Sequence, residues 1–233
     1  MNAPSTVWQG AGRRIHMQEV GLRDGLQMEK AFVPTEDKIA LCNALSSAGL
    51  SKIEVTSFTS PTAIPALKDA EIVMREITRR PGTVYTALVP NLRGAERAIE
   101  SGTDELNLVM SASETHNLAN LRMTREQSFT SLAQVVTLAH EADVEVNVSL
   151  SCVCGCPMES DVAEAEVFGL VQRFADLGVG GITLCDTTGM AYPSQVAHTT
   201  AAARARWPDL AFTLHFHNTR GMGLANVLAA IDA

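Results

Sequence analysis

Ala211-Phe-Thr-Leu-His-Phe-His217 decides the fold. Side chains alternate across a strand. Phe212, Leu214 and Phe216 therefore share one face, and Thr213, His215 and His217 the other. In an open doubly wound sheet both faces are covered by helices, and strands read as almost continuous apolar runs. Here one face is polar, and other β-rich runs repeat the pattern. Val146, Val148 and Leu150 oppose Asn147, Ser149 and Ser151; Ile53 and Val55 oppose Glu54 and Thr56; Leu106, Leu108 and Met110 oppose Asn107. A (β/α)8 barrel accounts for this, with apolar faces turned to the helices and a polar interior whose upper part is a reaction site.

Working outward, short β-rich runs alternate with longer amphipathic ones. Strands are predicted at Ile15–Val20, Lys52–Phe58, Thr83–Val89, Glu105–Met110, Val144–Ser151, Gly181–Cys185 and Ala211–His217. Helices are predicted near 35–48, 66–79, 91–101, 124–141, 160–177 and 193–206. The strand spacing is roughly 33 residues, the size of a βα unit. Thr124-Arg-Glu-Gln127 reads as a capping box. Thr35 and Ser160 are candidate N-caps, and Pro193 suits a first helical turn. Gly49, Gly102 and Gly178 fit left-handed helix ends. Leu224, Val227, Leu228 and Ile231 have helical spacing. The expectation is a single barrel domain over residues 1–233, holding seven βα units, with the eighth strand missing from the chain.

Composition narrows the function. The 233 residues carry 18 basic and 26 acidic side chains, a formal charge of −8. That lacks the basic surplus of a nucleic-acid binder, and no apolar run reaches the roughly 18 residues of a membrane span. Met1 to Gly12 lacks the apolar segment of a secretory signal. Met1 to His16 holds Arg13 and Arg14 and no acid, but no amphipathic presequence pattern. A cytoplasmic protein is expected, with its five cysteines reduced.

The residues able to do chemistry cluster at predicted strand ends. His215 and His217, two apart on a strand, point the same way at the C-terminal end, where barrel sites are built. Arg23 and Asp24 follow the first strand in Val20-Gly-Leu-Arg-Asp-Gly-Leu-Gln27. Strands one and seven of a closed barrel lie two apart, so Asp24 can approach both imidazoles. One carboxylate with two imidazoles suits Mg²⁺, Mn²⁺, Fe²⁺ or Zn²⁺. Glu54 could orient Arg23, and Asp186 could act as a base or support a histidine. Cys152-Val-Cys-Gly-Cys-Pro157 lacks the paired spacing of a structural zinc site. His16, His116, His140 and His198 read as surface or helix residues.

In chain order stand Val20-Gly-Leu-Arg-Asp-Gly-Leu-Gln27, Ile53-Glu-Val-Thr-Ser-Phe58, Ser151-Cys followed by Gly-Cys-Pro157, Asp186-Thr-Thr-Gly189 and His215-x-His217. Together they closely resemble the hydroxymethylglutaryl-CoA lyase family, within the metal-dependent barrel lyases and Claisen-type synthases. The resemblance implies a divalent cation, Mg²⁺ or Mn²⁺, and cleavage of 3-hydroxy-3-methylglutaryl-CoA, or a related 3-hydroxyacyl-CoA, to acetyl-CoA and a keto acid such as acetoacetate. It implies Asp24, His215 and His217 as metal ligands; Arg23, Glu54 and Asp186 as catalytic residues; and Arg23, Gln27, Ser57 and Lys30 as substrate-binding. It also implies a homo-oligomer, expected as a dimer. The chain departs from the family in His215-Phe-His-Asn-Thr-Arg-Gly-Met222, where the family has His-Cys-His-Asp-Thr-Tyr-Gly-Gln, and in Met28, where an Asn is common. Those changes bear on the acyl group. The family's Asn ligand and reactive cysteine lie on and after an eighth strand, beyond Ala233. Two alternatives stand: a Claisen-type acyl-CoA synthase of the same superfamily, and a non-catalytic truncated barrel.

Overall fold

The computed structural model describes residues 15–233, so the readings of Met1 to Arg14 lie outside the described residues. Strands and helices alternate: β1 (Gln18–Glu19), α1 (Thr35–Ser47), β2 (Lys52–Ser57), α2 (Ala70–Glu76), β3 (Val84–Val89), α3 (Leu92–Glu100), β4 (Glu105–Ser111), α4 (Glu114–Leu121), α5 (Arg125–Glu141), β5 (Glu145–Ser151), α6 (Glu164–Asp176), β6 (Gly181–Asp186), α7 (Pro193–Arg206), β7 (Ala211–Phe216) and α8 (Gly223–Asp232). The strand order is sequential, β1 to β7. The β1–β2, β2–β3, β3–β4 and β6–β7 pairs are parallel. A doubly wound sheet reverses its order at a switch point; sequential parallel strands joined by helices are the barrel progression. The α/β barrel reading holds, with seven βα units.

Two compact units divide the described residues: 15–109 with 130–147, and 110–129 with 148–233. In the first, Ile53, Val55, Tyr85, Val89, Leu106 and Leu108 are buried. The Tyr85 hydroxyl accepts from the Arg80 backbone N–H and donates to Ser46 Oγ, so its burial leaves no lost hydrogen bond. The β2–β3 register slips by one residue between Glu54 and Thr56, a bulge that re-aims the side chains around it. Thr35 does not cap α1. It is the first residue of that helix, after Pro34, and its hydroxyl donates to Asp69 instead. Asp69 also takes the buried Lys38 ammonium at 2.7 Å. Held by both, Asp69 immediately precedes α2, and the helix expected near 66–79 becomes a 3₁₀ turn at Pro65–Leu67 followed by seven α-helical residues. β1 is only two residues long, because the chain turns into a helical loop at Gly21.

In the second unit, Val171, Phe174, Ile182 and Leu184 are buried, and Phe168 packs edge-on against Trp207. The capping box stands as predicted: Gln127 Oε1 accepts from the Thr124 N–H, and Thr124 Oγ1 from the Gln127 N–H. Pro193 opens α7. Ser160 does not cap α6, which begins at Glu164. Its backbone, at φ 68°, exchanges both hydrogen bonds with Cys156 and closes a loop. Helix α4 was not expected; Ser113 caps it by accepting from the His116 N–H. In α8 the helical spacing is borne out, yet Leu224 and Leu228 are exposed and Gly223 and Asn226 are its buried residues. Across both units, Gly49, Gly102 and Gly178 take the left-handed conformation expected after helices, at φ 81°, 77° and 79°.

Candidate active site

The first unit builds an arginine cradle. After β1, Gly21–Gly25 winds a single wide helical turn, with the Asp24 N–H reaching the Val20 carbonyl at 2.7 Å. The turn buries Leu22 and Arg23. A Cβ at position 21 would lie 2.9 Å from Glu19 Oε1, which already accepts from the Gly21 N–H, so a larger residue there would have to displace the Glu19 side chain. Arg23 Nε donates to Glu54 Oε2 at 2.6 Å and Nη1 to Asp24 Oδ1 at 2.8 Å. Glu54 is fully buried, and a buried carboxylate without a partner costs several kcal/mol, so the guanidinium is what allows it there. Glu54, read from the sequence as a residue that could orient Arg23, forms an ion pair with it. Sequence reasoning placed Asn107 and Asn147 on the polar face but not in this network. Asn107 Nδ2 donates to Glu54 Oε1, and Asn147 Nδ2 to Asn107 Oδ1. Lone amides among apolar strand residues were the available signal.

The remaining predicted residues of this unit are less central. Ser57 is buried at the end of β2, where its hydroxyl pairs with Thr59 Oγ1 at 2.7 Å. Gln27 is half-buried just after the turn, and Lys30 is exposed.

The second unit carries the histidines. β6 and β7 pair with Cys185 opposite His215 and Asp186 opposite Phe216. His215 lies on β7 and His217 just beyond it; their rings stack with centroids 4.9 Å apart and 12° between planes. The common direction read from their spacing is thus observed. Asp186 ends β6. Its Oδ1 accepts from the Met190 and Ala191 N–H groups, while the buried Oδ2 has no hydrogen-bond partner among the described residues. Burial holds the carboxyl above the usual aspartate value, against the lowering effects of those two N–H groups, His217 and Arg220.

That shift has a testable sign. Because the folded state holds the Asp186 proton more tightly than the unfolded chain does, its contribution to stability is full below the unfolded value of 3.8 and is lost as pH rises through the raised folded value. Asp186→Asn is expected to lose that slope, measured by urea unfolding across acidic pH. An unchanged slope would assign the proton elsewhere.

The cysteine segment after β5 forms a closed loop. Cys152 and Cys156 are buried, and Ser113 Oγ donates to Cys156 Sγ at 3.2 Å. All five cysteines are free thiols. Burial pushes Cys42 and Cys152 up to about 11 and Cys154 to about 12.

Asp24, in the first unit, and His215 and His217, in the second, are each half-buried. A hard carboxylate oxygen with two borderline imidazole nitrogens fits a divalent cation. His16, His140 and His198 are exposed, and His116 is half-buried on α4. No helix of the described residues is long and apolar enough to cross a membrane.

The HMGL-like family profile matches residues 14–233. The hydroxymethylglutaryl-CoA lyase YngG of Bacillus subtilis is 45% identical over 220 residues, 94% of this chain and 74% of that protein. The crystal structure of the B. subtilis HMG-CoA lyase superposes with a TM-score of 0.91 at 45% identity, covering 94% of this chain and 73% of that one. An HMG-CoA lyase from Acinetobacter baumannii, in complex with coenzyme A and 3-methylmalate, gives a TM-score of 0.88 at 50% identity, covering 93% of this chain and 71% of that one.

Proposed function

The chain belongs to the HMGL-like family of hydroxymethylglutaryl-CoA lyases, and from that premise we propose that it is a divalent-cation-dependent carbon–carbon lyase acting on 3-hydroxy-3-methylglutaryl-CoA or a related 3-hydroxyacyl-CoA. The products are acetyl-CoA and a keto acid such as acetoacetate. The observation that carries the reading is Arg23, a buried guanidinium held by two carboxylates in the turn that follows the first strand. The A. baumannii complex with coenzyme A and 3-methylmalate supports a CoA thioester of a branched hydroxy acid.

Asp24, His215 and His217 would hold the cation. A bound cation supplies Lewis acidity that lowers the pKa of a substrate hydroxyl. The residues supply the rest. Asp186, with one carboxyl oxygen unengaged and a raised proton affinity, takes the 3-hydroxyl proton. The oxygen's electron pair forms the ketone, the C2–C3 bond breaks with its electrons passing to the thioester as an enolate, and a proton delivered from solvent to the enolate carbon completes acetyl-CoA. Arg23 faces that oxyanion with fixed positive charge, which lowers the barrier without reorganisation. Glu54 keeps the guanidinium in place, and Gln27, Ser57 and Lys30 line the substrate path. A single (β/α) barrel domain over residues 1–233 that lacks the eighth strand, Mg²⁺ or Mn²⁺ as the cation, a homodimer and a cytoplasmic location belong to the same reading.

The test is acetyl-CoA release by the full chain from a panel of 3-hydroxyacyl-CoA thioesters, with Mg²⁺, with Mn²⁺ and with chelator. Cation-dependent release is expected. No release from any thioester with either cation would overturn the proposal, and net condensation of acetyl-CoA with a keto acid would favour a synthase.

A further inference from the structure

Asn107 on β4 and Asn147 on β5 have no part in the chemistry above, yet each is 3% exposed and both are tied to the Arg23 ion pair. Asn147 Nδ2 donates to Asn107 Oδ1 at 2.9 Å, Asn107 Nδ2 donates to Glu54 Oε1 at 2.6 Å, and Glu54 Oε2 receives Arg23 Nε at 2.6 Å. We propose that Asn107 and Asn147 are positioning residues, which fix the Glu54 carboxylate and through it the plane of the Arg23 guanidinium. Their consequence for turnover rests on the lyase reading; their effect on Arg23 does not.

The hydrogen bonds run one way for a chemical reason. A carboxylate paired with a guanidinium only accepts. Asn107 must therefore turn its NH₂ to Glu54, which leaves its carbonyl oxygen facing Asn147, where only a donor fits. Asn147 presents its own NH₂ there. The direction of both amides is set by the charge at the end of the chain. Both amides are themselves only 3% exposed, so bulk water competes poorly for them.

The mechanical consequence follows from the last torsion of glutamate, which is broad and nearly two-fold. Held only through Oε2, the carboxylate could rock and carry the arginine with it. The bond to Oε1 removes that freedom. Arg23 Nε follows Glu54 Oε2 while Nη1 is tied to Asp24, so moving the Glu54 oxygen tilts the guanidinium plane. A displacement of about 1 Å at a catalytic group costs up to about 10²-fold in rate.

Two readouts on the full chain test this. The first is the ¹⁵N–¹H signal of Arg23 Nε, assigned by its loss in Arg23→Lys. In the wild type it is expected as a protected resonance. Asn107→Leu, and Asn107→Asp, which keeps the shape but replaces the donor by an acceptor, are expected to shift it and abolish its protection. The second is kinetic. Asn107→Leu is expected to lower kcat by about 10- to 100-fold with KM and Mn²⁺ affinity within about twofold. Asn147→Ala, added to Asn107→Leu, is expected to change kcat by less than about twofold, because its influence passes through the amide already removed. An unmoved Arg23 signal in Asn107→Leu, a kcat within about twofold of wild type, or multiplying losses in the double variant would each overturn the proposal. If Asn107→Leu does not fold, Asn147→Ser carries the same two measurements. A wild-type chain without lyase activity would sink the proposed function and leave the Arg23 signal to decide the role of the two amides.

Discussion

Arg23→Met is expected to lower kcat for thioester cleavage by about 10²- to 10³-fold, the loss seen when one preorganised oxyanion partner is removed. The substitution keeps much of the length and the apolar stem of the side chain and deletes the charge. KM should change little, because in the proposed mechanism the interaction is made with charge that develops in the transition state. Cation affinity should stay equal or rise, since a positive charge 2.8 Å from the Asp24 carboxylate is gone. Stability must be measured alongside. The substitution would leave the fully buried Glu54 without its ion-pair partner, a loss of about 3–5 kcal/mol in comparable sites. Arg23→Lys separates the two effects. An ammonium restores charge but cannot hold Glu54 and Asp24 with a planar fork, so it should recover stability more than turnover. An Arg23→Met chain that folds and turns over at the wild-type rate would remove Arg23 from the mechanism.

His217→Ala is expected to weaken Mn²⁺ binding by about 100-fold, on the order of 3 kcal/mol, measured by calorimetry. On the proposed ligand set one nitrogen donor is lost, and water replaces it poorly. His215→Ala should behave similarly, because its ring stacks on that of His217 and both project in one direction. The same measurement on Asp24→Asn should show a comparable loss, since the formal charge that offsets the cation is removed. Affinity unchanged in all three would place the cation elsewhere. Activity need not be read at all, so the ligand set is tested independently of the substrate.

The fold and much of the site were legible because both rest on strict periodicities. Alternation in Ala211–His217 put two imidazoles on one side of a strand, and their stacked rings bear that out. Thr124 and Gln127 announced a helix start through complementary hydrogen-bonding groups. What escaped was decided by partners distant in sequence. Thr35 is chemically a good cap, but Asp69, 34 residues away, takes its hydroxyl. Ser160 likewise stands ahead of α6, in a loop closed by Cys156. Glu54 was nominated for its charge, whereas Asn107 reaches it from 53 positions along the chain and Asn147 reaches Asn107 from 40 further. Only folding brings the three together.

The quiet cysteines carry a practical consequence. With Cys42, Cys152 and Cys154 at about 11, 11 and 12, the thiolate fraction of each at neutral pH is about 10⁻⁴ or less. Cys156 and Cys185 are buried like Cys42 and Cys152, and Cys154 is half-buried. An alkylating reagent added to the native chain therefore meets almost no nucleophile until the structure opens. Labelling kinetics become a clock for opening, with five built-in hands distributed from α1 to β6, and mass mapping of the modified peptides would show which part of the barrel lets go first.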